Sequence, residues 1–317
     1  MKAIDWNTIE DEMDITIWNR LTEQFWLPEK IATSLDIPSW STLTAREKEI
    51  TSRVLGGLTL LDTMQSFDAA PALLKDAKTP HEQAVLMNIG FMEAVHSKSY
   101  SSIFASLCTS EENHAIHRWV QDNPRLQYKA KVILEAYNGD CPIMRKAASV
   151  LLESFLFYSG FYLPLYWSGA HSKLTNTADI IRLIMRDEAL HGYYIGYKFQ
   201  KEFALLSDDE KKIKKDAIYD LLTDLYENEE KYTEELYDDM RLSEDVKRFV
   251  RYNGNKALAN LGFEPLFPEE STNVSAVILS AVETKTQENH DFFSGSGSTY
   301  LVGTVEAMSD SDWDDWE

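Results

Sequence analysis

The sequence predicts an all-α protein built as a bundle of long helices, and three observations lead there. Apolar residues recur at helical spacing over long runs, among them TAREKEITSRVLGGLTLLDTMQSFDAA from Thr44 and the stretch from Asn176 to Phe203. Strand signals, short alternating runs bounded by turn residues, are scarce. Helix starts are written into the chain at Thr44 with Glu47, at Thr79-Pro80-His81-Glu82 and at Thr109 with Glu112.

Taken in order, the first 50 residues read as irregular and Trp-rich, with Trp6, Trp18, Trp26 and Trp40 among charged residues. On residue type alone Trp26, in EQFWLPEKI, is a lid residue over the core. The helix from Thr44 carries Asp62 in the apolar run GGLTLLDTMQ. The next, from Thr79, carries Glu93, His96 and Tyr100 at spacings that put all three on one stripe. RLQYKAKVILEAYNG is amphipathic and stops at Gly139, with Pro142 beyond it. Ala147 to Trp167 is long and apolar enough to span a bilayer, but Glu153 interrupts it and no second span accompanies it, so a buried bundle helix is expected. Asn176 to Phe203 carries Asp187, Glu188 and His191. Residues 207–263 continue helical and highly charged, which reads as a solvated face with pairs at i,i+4 spacing.

Composition narrows the function classes. The 317 residues are 44% hydrophobic and 12% aromatic, enough for a large core. A formal net charge of -21 and no basic block argue against nucleic acid and against an anionic membrane surface. Only Cys108 and Cys141 are present, so there is no disulfide framework, and the acidic N-terminus does not look like a signal peptide. A cytoplasmic protein is expected.

The chemistry is carried by a phrase that occurs twice: a carboxylate in an apolar helix, then Glu-x-x-His. Asp62 precedes Glu93-Ala-Val-His96 by 31 residues, and Glu153 precedes Glu188-Ala-Leu-His191 by 35. Residues three apart on a helix are neighbours, so each pair offers oxygen and nitrogen ligands to one ion. Buried glutamates need a cationic partner, which a metal centre supplies. A third Glu-x-x-His, Glu111 to His114, sits in the first turn after the Thr109 cap and reads as ordinary structure. Ferritin-like dimetal bundles present two helices with one carboxylate each and two with Glu-x-x-His, and this chain has that pattern with Asp62 in place of one Glu. Tyr100 reads either as a core tyrosine or as one abutting the metals.

From residue 291 a Gly/Ser stretch leads into an acidic end that cannot bury enough surface to fold alone. Residues 1–290 are thus read as the bundle and 291–317 as a flexible tail. From Ser294 to Glu317 is 24 residues, roughly 27 Å on average as a flexible chain. Its Tyr300, Trp313 and Trp316 are aromatics of the kind that anchor in a partner's groove.

With Asp62, Glu93, His96, Tyr100, Glu153, Glu188 and His191 in this order, the sequence resembles the small, radical-generating subunit of class Ib ribonucleotide reductase. GLTLLDTMQ, NIGFMEAVHSKSYSSIF, ESFLFYSGFYLPLYW and IMRDEALHGYYIGYKFQ carry the likeness, which runs from about Trp26 to the tail. The resemblance implies that Asp62, Glu93 and His96 hold one metal and Glu153, Glu188 and His191 the other, some carboxylates bridging, with two manganese or two iron ions per chain. It implies a stable radical on Tyr100 in an apolar pocket of Phe157, Phe161 and Ile184. It makes Trp26 and Asp187 a hydrogen-bonded route from His96 toward the surface, overturning the lid reading of Trp26. Tyr300 matches the tail tyrosine that relays the radical to the large catalytic subunit, and a small flavodoxin-like protein supplies the oxidant for the manganese form. A homodimer is expected. Class Ib tails commonly end in Trp then Phe, whereas this one ends Trp316-Glu317. Ribonucleotide reduction needs three thiols and this chain has two, so nucleotide binding falls to the partner. The rival readings are a dimetal oxidase or hydroxylase of the same bundle and a ferritin-like metal store. Tyr100 in the ligand stripe and the Tyr300 tail speak against both.

Overall fold

The computed structural model describes residues 3–283, and among these every regular element is helical. Helix α1 (Glu12–Glu23) starts at Asp11, whose carboxylate accepts from Met13 N. This corrects the expectation of an irregular N-terminal stretch. Only Ile17 and Leu21 of its face are buried as an apolar pair, so periodicity is weak, and the helix is fastened instead through Asp14. That fully buried carboxylate accepts from Tyr194 Oη at 2.8 Å and Thr79 Oγ1 at 3.0 Å and pairs with Lys198 Nζ at 2.5 Å. Two short 3-10 turns, Pro28–Lys30 and Thr33–Asp36, lead to α2 (Ile37–Ser41).

The long helices begin where the caps predict. Both hydrogen bonds of the Thr44/Glu47 capping box are made at the start of α3 (Ala45–Met64). A π turn, Gln65–Ala69, then joins α3 to α4 (Ala70–Leu74). Thr79 caps α5 (Pro80–Leu107), and Thr109 with Glu112 boxes α6 (Ser110–Asp122). Asn123 opens α7 (Pro124–Asn138), which ends at Gly139 as its sequence indicates. The apolar stretch is α8 (Pro142–Leu151), a second π turn at Leu152–Leu156, and α9 (Tyr158–His171). Its most apolar window is 94% buried inside the protein, so this is a core helix. There follow α10 (Thr175–Ala204), α11 (Asp208–Tyr237), α12 (Ser243–Asn260) and α13 (Ala276–Glu283), the last packed on α9.

The centre of the molecule is formed by α3, α5, the α8–α9 rod and α10, with α3 on α5 and α10 on α8 and α9. Two glycines let these backbones close. A Cβ on Gly160 of α9 would lie 2.6 Å from Leu58 of α3, and one on Gly192 of α10 would collide with Ser154 in the second π turn. The second contact draws α10 against the turn that holds Glu153.

Helices α11 and α12 are solvated on one side only. Ile218, Leu222, Leu225, Leu236, Val246 and Phe249 face the core. The charge partners also differ from the i,i+4 expectation, because Lys247 reaches Glu234 at 2.7 Å and Arg251 approaches Glu230 at 3.9 Å across the two helices. Beneath them Lys129 of α7 and Glu229 of α11, 1% and 0% exposed, form an ion pair at 2.8 Å, with the ammonium 3.9 Å from the centre of the Tyr232 ring. The expected tail, 291–317 with Tyr300, Trp313 and Trp316, lies outside the described residues, as do 284–290.

Candidate metal centre

Four helical segments each deliver one part of the duplicated phrase to the same place. Asp62 comes from the last turn of α3, Glu93 and His96 from the middle of α5, Glu153 from the second π turn, and Glu188 and His191 from α10. All are 0% exposed. Their oxygen and nitrogen atoms form two groups, each within 4.8 Å: Asp62, Glu93, His96 and Glu188, and Glu93, Glu153, Glu188 and His191. Glu93 and Glu188 belong to both groups. His96 Nδ1 lies 2.9 Å from Glu188 Oε1 and 3.3 Å from Glu93 Oε2. His191 Nδ1 lies 2.7 Å from Glu93 Oε1, 3.3 Å from Glu188 Oε2 and 3.8 Å from Glu153 Oε2.

One proton on a ring nitrogen cannot serve several oxygens at once. Both oxygens of Asp62, and Glu93 Oε1, Glu153 Oε2 and Glu188 Oε1, complete no hydrogen bond although all are buried. Such groups cost several kcal/mol each unless a cation takes them. Burial first, then the charges of Glu93 and Glu188, push the Asp62 carboxyl far above its usual range. Burial and then Glu188 and Glu93 do the same to Glu153. Burial opposes protonation of the imidazoles but is outweighed, at His96 by Asp187 and Glu188 and at His191 by Glu93, Glu153 and Glu188, so both are raised. Burial works against ionisation of Glu188 too, but hydrogen bonds with Glu153, His191 and His96 outweigh it and hold that carboxyl low. Two divalent cations would neutralise the cluster's four carboxylates, and mixed carboxylate and imidazole donors suit manganese and iron. The residues fit a dimetal centre.

The outer contacts of the two groups differ. His96 turns its other nitrogen, Nε2, to Asp187 Oδ2 at 3.2 Å, a contact that would keep a proton on Nε2 and leave Nδ1 free for an ion. The same Oδ2 accepts from Trp26 Nε1 at 2.7 Å, and the Trp26 and His96 rings stack with centroids 5.9 Å apart. Trp26 is buried, and Asp187 Oδ1 meets Arg186, which also donates to Gln24 O at 2.5 Å. On the other side Glu153 Oε1 accepts from Gln65 Nε2, and Gln65 Oε1 accepts from Tyr137 Oη. His191 Nε2 completes no hydrogen bond.

Tyr100, one turn beyond His96 on α5, is fully buried, and its hydroxyl completes no hydrogen bond. Burial, then the neighbouring Asp62 carboxylate, raise its pKa well above the ordinary range, so it is a neutral phenol. Phe157, Phe161 and Ile184 are each 0% exposed, with Phe157 and Phe161 stacked at 5.6 Å. Glu111 and His114 are exposed in the first turns of α6 and belong to neither ligand group, as the sequence reading expects of ordinary structure. Sequence reasoning missed Gln65 and Tyr137. Gln65 could have been found, since it follows Asp62 by three residues and shares its helical face.

Comparison with known proteins agrees with this geometry. The family described as ribonucleotide reductase, small chain, matches residues 3–274. The nrdF2 ribonucleoside-diphosphate reductase subunit beta of Mycobacterium tuberculosis is 59% identical over 99% of this chain and 97% of its own length. The ribonucleoside-diphosphate reductase 2 subunit beta of Escherichia coli is 56% identical over 99% and 98%. Among solved structures, the dimanganese(II)-NrdF of Streptococcus sanguinis superposes with a TM-score of 0.86 at 52% identity, covering 89% of this chain and 99% of that one.

Proposed function

From the premise that this chain belongs to the ribonucleotide reductase small-chain family, we infer that it is the beta subunit of a class Ib ribonucleoside-diphosphate reductase, an oxidoreductase. It makes an oxidising radical and passes it to a large subunit that reduces ribonucleotides to deoxyribonucleotides. The observation that carries the reading is the pair of buried ligand groups sharing Glu93 and Glu188, with the neutral phenol of Tyr100 one turn away.

Asp62, Glu93, His96, Glu153, Glu188 and His191 hold two manganese or iron ions, which when bound and oxidised supply the power to remove one electron from a phenol. Tyr100 gives up that electron, and its hydroxyl proton moves to the Asp62 carboxylate beside it. The resulting tyrosyl radical persists because the core around it, with Phe157, Phe161 and Ile184, excludes water and reductants. Asp187 Oδ2, held between His96 Nε2 and Trp26 Nε1, ties the centre to an oxidisable indole, and Tyr300 completes the relay into the large subunit. The dimanganese(II) form of the Streptococcus sanguinis NrdF favours manganese as one working form, and the class Ib likeness adds a small flavodoxin-like activating protein for it.

A homodimer is supported by exposed apolar side chains on neighbouring elements: Phe67 after α3, Met87 and Phe91 on α5, and Phe25, which stacks on Phe91 at 6.1 Å. A second copy of this chain is the natural cover for such a patch. The two free cysteines, Cys108 and Cys141, fit a reducing cytoplasm. Loading the purified protein with manganese or iron, activating it, and recording metal content with paramagnetic resonance tests the reading. Two ions per chain and a persistent tyrosyl signal are expected. Metal without any tyrosyl signal would favour an oxidase, and uptake of many ions per chain a metal store.

A further inference from the structure

Gln65 opens the first π turn and is 2% exposed. A metal-binding carboxylate only accepts hydrogen bonds, so the amide Nε2 must face Glu153 Oε1, and this leaves Gln65 Oε1 to accept from the Tyr137 hydroxyl. Ser149 Oγ lies 3.4 Å from the same Nε2. Tyr137 is itself 2% exposed at the end of α7, so the amide is gripped from behind. The two ends of the Gln65 to Glu153 contact both emerge from π turns, Gln65–Ala69 and Leu152–Leu156. A π turn places one more residue in the helix than an α-helix would, re-aiming the side chains around it, and such turns recur at functional sites.

The contact has a definite consequence for Glu153. Its Oε1 is held by the amide, while its Oε2 completes no hydrogen bond and points into the group with His191 Nδ1, 3.8 Å away. We propose that Gln65 is a positioning residue that pins Glu153 through Oε1 and presents Oε2 to the ion shared with Glu93, Glu188 and His191. The side chain suits the task because it is neutral. A carboxylate there would add a fifth negative charge beside the four the two groups already contain, and an imidazole or ammonium would compete with the ion for Glu153. An amide directs the ligand without changing the charge of the cluster.

The proposal rests on the dimetal reading above, and the test separates the two. Full-length, metal-free protein is titrated with manganese(II), counting bound ions by the loss of the free-ion paramagnetic signal. Gln65→Met, which keeps volume but removes both hydrogen bonds, is expected to weaken one of the two sites about 10–100-fold and leave the other unchanged, the usual cost of losing an outer partner of a ligand. Tyr137→Phe keeps the donor on Glu153 and is expected to weaken the same site less. In a Glu153→Ala background, Gln65→Met should have no further effect on the remaining site, because its only route to the ion is gone. Thermal melting of each metal-free variant checks folding, and Tyr137→Phe carries the test should Gln65→Met not fold. Wild-type protein that binds fewer than two ions sinks the dimetal reading itself. Wild type binding two while Gln65→Met binds both as tightly overturns the positioning role. So does equal weakening of both sites, an effect that persists without Glu153, or, where Gln65→Met does not fold, a Tyr137→Phe variant with unchanged affinities.

Discussion

The two flanks of the metal centre are built from the same helical phrase yet finished differently. On the His96 flank the outer partner is Asp187, a carboxylate joined to Trp26 and to Arg186, whose side chain is 34% exposed. On the Glu153 flank the outer partner is the neutral Gln65, backed by a phenol that is itself buried. One flank leads outward through groups that can hold charge; the other ends inside the core. On the proposed assignment, the duplicated ligands would set where the ions sit, and their unlike surroundings the direction in which an electron and a proton leave.

That comparison fails at its root if Tyr100 is not the oxidised residue. Tyr100→Phe should leave two ions bound and remove both the tyrosyl signal and nucleotide reduction down to background, measured by paramagnetic resonance and turnover with the large subunit. Tyr300→Phe should be equally inactive in turnover while keeping a normal signal, so the pair separates making the radical from delivering it. A Tyr100→Phe protein that still shows a tyrosyl radical moves suspicion to Tyr194, which donates to Asp14 at 2.8 Å.

Next in size, Glu153→Ala and His191→Ala should each lower metal content from two ions per chain to about one, since each removes a donor from a buried site. Elemental analysis of the two variants decides this, and full loading of both would dissolve the distinction between the flanks. Asp187→Asn makes the charged flank neutral like the other. It should retain the Tyr100 radical but slow reduction by about 10–100-fold, the range seen when a ligand's outer partner is replaced. Unchanged turnover would mean that charge on this flank is incidental.

The smallest effect concerns α1, which packs on α5 and α10. Burial works against ionisation of Asp11, but hydrogen bonds from Lys198, Lys201 and Tyr197 outweigh it and hold the carboxyl well below its usual range. A carboxyl depressed in the folded chain adds stability above its unfolded value of about 4, and that contribution is lost as pH falls through the folded value. Asp11→Asn should therefore lower the melting temperature slightly at pH 7, with the gap to wild type closing in strong acid. A gap that stays constant with pH would show that the loss does not come from the charge of Asp11.

Much of this was legible in the chain because the signals are local. The caps at Thr44, Thr79 and Thr109 mark helix starts by residues three apart, and each Glu-x-x-His meets within one helical turn. Asp187 was reachable through the family likeness, since it stands beside Glu188 in the same motif. What escaped depends on partners distant in sequence. Asp14 looks like one more charge in an irregular stretch until Tyr194 and Lys198 are folded against it. Glu229 looks solvated until α7 brings Lys129 beneath it. The π turns leave no trace in composition, because they change the path of the backbone and not the kind of residue, so although the spacing from Asp62 puts Gln65 near the site, its pairing with Glu153 shows only in three dimensions.

The buried pair of Lys129 and Glu229 also bears on how the chain avoids assembling wrongly. Long amphipathic helices can dock in neighbouring registers with much the same apolar area covered. A slip of α11 by one residue against α7 turns Glu229 by about 100° around its helix, at 3.6 residues per turn. Lys129 would then lie in the core with no counter-charge, which costs about 3–5 kcal/mol. Greasy contacts would forgive the slip and this pair would not, so it works as a checksum on the docking of two helices whose partners are 100 residues apart in the chain.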